Sequence, residues 1–199
     1  MTPNDHQVRV TVLTQACTST GSILDNVTPE QLALPTPCSD WPVHELINHI
    51  VGATHYFGDL AEWGSSPEGQ DWPNYADGDF ATAFGEQARR AMAAFSAPGA
   101  MERTMMVPLS EPMPGWQCIQ VATGEIFVHG WDLARATGQA RPDERVADAL
   151  LSSEWISLCD EVRNERMAFA AAIEVPGEAP AADRLAAFLG RDPSWSSGQ

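Results

Sequence analysis

Apolar residues return at helical intervals along most of this chain. Val10, Leu13, Ala16, Cys17, Ile23 and Leu24 mark one face of a first helix over about 7–26. The stretch LPTPCSDWP breaks that period with three prolines. Ser39 or Asp40 is placed to cap a second helix, with Pro42 in its first turn and Glu45 near its positive end. This helix runs to about Trp63 through Leu46, Ile47, Ile50, Val51, Phe57 and Leu60. GSSPEGQDWPNYADGD reads as a loop, and a third helix follows from about Phe80 to Phe95. Thr104 to Leu109 suits a short extended segment, with the Pro-rich remainder a linker. A fourth helix spans about Trp116 to Thr137 and stops at Gly138, a favourable residue just past a helix end. A fifth is predicted from after Pro142 to about Ile173. EVPGEAPAAD is a loop, and a short helix lies around Arg184 to Leu189. The pattern predicts an all-α four-helix bundle with extra short helices and one long crossover connection. No repeat or boundary is visible, so 1–199 is expected to be a single domain.

Charge narrows the partners. The chain has 11 basic and 27 acidic residues, a net charge of −16, and every basic residue is Arg. So acidic a surface repels phosphate backbones and anionic lipid, so neither nucleic acid nor a membrane is expected as partner. The absence of Lys removes Schiff-base chemistry and the P-loop lysine. The four cysteines form no C-x-x-C pair and read as reduced, partly buried thiols. MTPNDHQVRV lacks the basic and apolar regions of a signal peptide, and no apolar run is long enough to span a bilayer. A cytoplasmic protein is expected.

The fourth helix carries the candidate chemistry. In GEIFVHGWDLARATG, Glu125 and His129 stand four apart and Asp132 three further on. At about 100° per residue the three share one face, beside the apolar Val121, Ile126, Phe127, Val128 and Leu133. A carboxylate beside buried surface needs a partner, and a metal ion is one. Carboxylate with imidazole suits zinc, nickel or iron(II) better than calcium or magnesium. If an ion alone satisfies Glu125, replacing it with Gln should cost the metal-free chain little. If a basic side chain does, the same change should destabilise it. A third ligand must come from elsewhere. His6 lies near a fraying end, His44 in an exposed first turn, and His55 cannot share a face with His49. His49 sits in mid-helix between Ile47 and Ile50, as a ligand or as a hydrogen-bonded core histidine. Asp132 either orients His129 or serves as a local cap or ion-pair partner of Arg135. Trp116 and Trp131 read as packing.

TPCSDWPVHELINHIVGA and GEIFVHGWDLARATGQ resemble the two signature segments of the DinB/YfiT-like metal-binding superfamily. The resemblance is closer to the branch related to mycothiol-dependent maleylpyruvate isomerase, which AFLGRDPSW also resembles. It covers nearly the whole chain, strongly in these segments and faintly in the loops. It implies a DinB-like four-helix bundle and one divalent metal, zinc or nickel, held by His49, Glu125 and His129. It also implies a low-molecular-weight thiol of the mycothiol type as cosubstrate and a small electrophile as its partner. The isomerase carries a further C-terminal domain, which this chain is not expected to have, so maleylpyruvate itself is not the expected substrate.

The function expected is therefore a metal-dependent thiol transferase or isomerase. Metal-dependent hydrolysis by activated water would use the same site. A non-catalytic bundle that senses or sequesters a metal or small molecule is the competing expectation. The sequence singles out no catalytic residue beyond the ligands, and a homodimer is left open.

Overall fold

The computed structural model describes residues 2–38, 41–67, 73–107, 111–166 and 169–196. Four long helices carry the core: α1 (Pro3–Leu24), α2 (Val43–Trp63), α3 (Phe80–Ser96) and α4 (Gly115–Thr137). Around the bundle the order is α1, α4, α2, α3, so α1 lies diagonal to α2 and α3 to α4. A two-residue antiparallel pair, β1 (Thr104–Met105) with β2 (Met113–Pro114), interrupts the α3–α4 connection. The segment expected to be a linker thus partly pairs with the extended segment before it. Three shorter helices, α5 (Glu144–Leu151), α6 (Trp155–Arg166) and α7 (Ala181–Phe188), pack beside α1 and α4. No helix among the described residues is long and apolar enough to cross a membrane.

Helix α2 buries Leu46, Ile47, Ile50, Val51, Phe57 and Leu60, a wide apolar stripe at helical spacing. Truncating Ile47, which is fully buried, to Ala would cost about 2–5 kcal/mol. Ser39 and Asp40, expected to cap α2, lie outside the described residues. Pro42 itself takes the cap position and contributes no side-chain hydrogen bond. Gly64 ends the helix in the left-handed region, at φ 81°, and its carbonyl accepts from the Met106 amide at 2.9 Å. Helix α4 ends at Gly138, also left-handed, as its sequence requires.

Helix α4 is buried on most of its circumference, unlike a surface helix. Two glycines permit this depth. A Cβ on Gly124 would run into the Trp155 indole of α6, and one on Gly130 would meet Thr20 of α1. Thr20 also donates to the Ile126 carbonyl at 3.1 Å. Glu125 and His129 each neighbour one of these glycines in sequence, so close packing behind α4 seats both side chains.

The predicted fifth helix is two helices. Ser152 to Glu154 separates α5 from α6, and the Ser153 hydroxyl donates to the Leu150 carbonyl at 2.8 Å. Its oxygen also faces the Trp155 amide at 3.3 Å, at the start of α6. Such local side-chain bonds compete with the helical ladder. Apolar periodicity runs through this break and conceals it. Beyond α6, 169–180 is not helical, where Pro176, Gly177 and Pro180 disfavour it.

Candidate metal centre

The site forms where α4 faces α2. Nε2 of His49, on α2, lies 2.8 Å from Oε1 of Glu125, on α4. Nε2 of His129 lies 3.3 Å from the same oxygen. The two imidazoles stand edge to face with centroids 4.6 Å apart. One donor atom from each of the three residues lies within 4.8 Å of the others. The structure thus brings together the three residues the sequence singled out. It leaves the other histidines elsewhere: His44 is half exposed beside Glu45, and His55 faces Asp59. His6 is not frayed. Its Nε2 lies 2.9 Å from the Phe95 carbonyl oxygen.

Glu125 does not wait unpaired for an ion. Burial pushes its carboxyl up, but the charge of His129 and hydrogen bonds from both imidazoles outweigh this. The carboxyl is held well below its ordinary range. His129 is only 7% exposed, yet both its nitrogens face carboxylates: Nε2 faces Glu125, and Nδ1 lies 3.1 Å from Oδ2 of Asp132. Burial pulls its pKa down, but Glu125 and Asp132 together raise it to about 9. Both ring nitrogens thus face acceptors, which favours the imidazolium in the metal-free protein. An ion taken up at Nε2 has to displace the proton there.

Asp132 is fully buried and pairs with Arg191, not with Arg135. The Arg191 Nε and Nη2 groups donate to its two oxygens at 3.4 and 3.2 Å. Burial works against the guanidinium, but Asp132 holds its pKa above the ordinary value. Arg135 instead donates to the carbonyls of Pro193 and Trp195 at 3.0 and 2.6 Å. Trp41 covers the imidazoles, its ring centroid 4.3 Å from that of His49 and 5.7 Å from that of His129. The Thr36 hydroxyl fixes this roof by donating to the Trp41 carbonyl at 2.7 Å. Sequence reasoning assigned no role to Trp41 or Arg191. Their only signal was their place in the segments carrying the family resemblance. Trp131 is fully buried with its indole N–H on Asp183 of α7, and Trp116 lies under the Arg9 guanidinium, so both pack as expected.

A second grouping, Cys38 with His129 and Asp132, is also compact enough for an ion. It is the poorer seat, because Asp132 already carries a guanidinium that would repel a cation. The first grouping offers two exchangeable imidazole nitrogens and a carboxylate, a donor set that fits a zinc-like ion with a position left over. Among the described residues no disulfide links the cysteines. Burial pushes the thiols of Cys17, Cys118 and Cys159 up to about 12.

Relatives place this arrangement in context. The uncharacterized proteins Rv0738 and MT0763 of Mycobacterium tuberculosis are each 39% identical to this chain over 173 residues, covering 85% of it and 90% of their own length. The crystal structure of the mycothiol-dependent maleylpyruvate isomerase matches with a TM-score of 0.56 at 14% identity, over 77% of this chain and 72% of that one. A mutant of that enzyme gives the same figures. At that identity the likeness shows a shared helical fold. Residues 13–134, which include His49, Glu125 and His129, match the mycothiol maleylpyruvate isomerase N-terminal domain. With that match over more than half its length, the chain belongs to the mycothiol maleylpyruvate isomerase N-terminal domain family.

Proposed function

We propose that this protein is a metal-dependent enzyme of thiol chemistry, an isomerase or transferase that joins a mycothiol-type thiol to a small electrophile in the cytoplasm. One observation carries the reading: two imidazole nitrogens from different helices converge on a single carboxylate oxygen. His49, Glu125 and His129 would hold one divalent ion, zinc or nickel. Such an ion supplies Lewis acidity, lowering the pKa of a thiol or water at its remaining position. The chain's own residues prepare that position. Asp132 accepts the Nδ1 proton of His129 and so directs Nε2 toward Glu125 and His49. Trp41 shields the imidazoles from water. Cys17, Cys118 and Cys159, buried and held protonated, are poor nucleophiles, so none of these three supplies the reactive thiol. The family match and the thiol-dependent enzyme of similar fold support the same choice.

Metal analysis of the purified protein should find about one transition-metal ion per chain. Adding a small thiol to the cobalt-substituted protein should then raise absorbance in the thiolate-to-cobalt region. Metal binding with a spectrum indifferent to thiols would favour a hydrolase or a non-catalytic bundle instead.

A further inference from the structure

We propose that Arg191 is a positioning residue for the candidate metal centre, gripping both oxygens of Asp132 so that His129 keeps its Nδ1 proton and gives up the one on Nε2 when an ion binds. The inference rests on the metal reading above and goes beyond its three ligands. A neutral imidazole can carry its single proton on either nitrogen. Only the Nδ1–H form leaves a lone pair at Nε2, the atom facing Glu125. The acceptor that selects this form is Oδ2 of Asp132, 3.1 Å from Nδ1. A carboxylate held at one point can swing about its χ2 bond. Arg191 removes that freedom with Nε on Oδ1 at 3.4 Å and Nη2 on Oδ2 at 3.2 Å.

Arg191 is itself seated firmly. Its amide donates to the Ala186 carbonyl at 2.9 Å, and its Nη1 donates to the Leu189 carbonyl at 3.3 Å. Gly190, left-handed at φ 82°, turns the chain toward α4. Arg135, on α4 itself, clamps the Pro193 and Trp195 carbonyls of the same segment. The cation also compensates a carboxylate with no exposure to water, which would otherwise be costly. The guanidinium's hydrogen bonds go to Asp132 and the Leu189 carbonyl, so it supports the ligand through Asp132.

The test measures zinc affinity by competition with a chromophoric chelator, for the native chain and for Arg191→Gln. The variant should bind zinc up to about 10-fold more weakly, the lower end of the loss typical when a ligand's own outer partner, here Asp132, is removed. Nitrogen-15 spectra of the metal-free native protein, at a pH high enough to neutralise the ring, should show the His129 proton on Nδ1. The variant should show a mixture of the two ring forms, a change that a merely structural tether would not produce. Unchanged affinity in the variant overturns the proposal. So does weaker affinity with the Nδ1 proton fully retained. If Arg191→Gln does not fold, Arg191→Lys asks the same question: it keeps the charge, loses the two-point grip and should fall between the two. Equal affinity for Arg191→Lys and the native chain then overturns the proposal. Failure of the native chain itself to bind zinc would count against the proposed function, a separate outcome.

Discussion

Helix α2 carries a histidine at each of two polar clusters, and the clusters teach opposite lessons. At His49 the carboxylate of Glu125 meets two imidazoles. At His55, between one and two turns further along, the carboxylate is Asp59, four residues on and 3.7 Å away. Each cluster thus contains a histidine and an acid spaced i,i+4 on one helix, Glu125 with His129 and His55 with Asp59. Asp59, however, is bound by Arg90 of α3 at 2.6 Å and by the Ser66 hydroxyl at 2.8 Å. Arg90 also holds Glu62 at 2.6 Å and lies 5.0 Å from the Trp63 ring centroid. A guanidinium does not give up its proton, so no ion can take its place. Burial pulls the pKa of His55 down, whereas that of His129 is raised to about 9. Spacing therefore does not make an acid–histidine pair a metal site. On the proposed reading, the exchangeability of the acid's other partner does.

The sharpest way to break this contrast is to remove each histidine in turn. His49→Ala should abolish metal uptake, and His55→Ala should leave one ion per chain. Elemental analysis of both variants decides it, and full retention of metal without His49 would end the three-ligand model.

The acids come next. Asp59→Asn removes a carboxylate only 2% exposed and leaves Arg90 short of a partner, so the chain should lose about 3 kcal/mol with metal affinity unchanged. Glu125→Gln should do the converse, weakening metal at least ~10-fold. It should also cost the metal-free chain some stability, because His129 then keeps its charge with one carboxylate fewer. Denaturant titration beside a chelator competition separates the two, and an Asp59 variant that also lost metal would merge the clusters into one system.

A pH series follows. The pKa of His129 is raised above the ordinary 6.5, so its contribution to metal-free stability is complete below about 6.5 and is lost as pH rises through about 9. Metal has to displace the same proton, so affinity should increase by up to about tenfold per pH unit until about 9. Calorimetry in buffers of different ionisation heat would count the released proton. An affinity flat above pH 7 would contradict the imidazolium.

The smallest effect belongs to Glu62→Ala. Glu62 is about a third exposed and Arg90 keeps Asp59, so the loss should be about 0.2–1 kcal/mol. A larger loss, read from the same denaturant titrations, would show that the second cluster depends on all its members.

How much of this the sequence displays depends on whether the signal is local. The stripe on α2, the end of α4 at Gly138, and Glu125 with His129 all lie within a few residues of one another and follow helical geometry. His49 was picked out because a polar residue in an apolar stretch needs a partner. The resemblance of two segments then made it a ligand candidate. Arg191 left only its place in AFLGRDPSW, which says nothing of its partner. It meets Asp132 across 59 residues, through a turn at Gly190 that no periodicity marks. Trp41 read as part of a proline-rich break, and its stacking on His49 depends on how that break folds over α2. The division between α5 and α6 was hidden because hydrophobic spacing continues across the two serines.

The glycines behind α4 set a rule for redesign. Gly124 and Gly130 rest against Trp155 and Thr20, so the wall behind the helix bears on where Glu125 and His129 stand. The bore of the site is therefore tuned from outside it. Adding a methyl group at either glycine would press α4 away from Trp155 or Thr20 and should move both candidate ligands together. Selecting for ions of different radius can thus begin with residues that never touch an ion, leaving the three donors as they are.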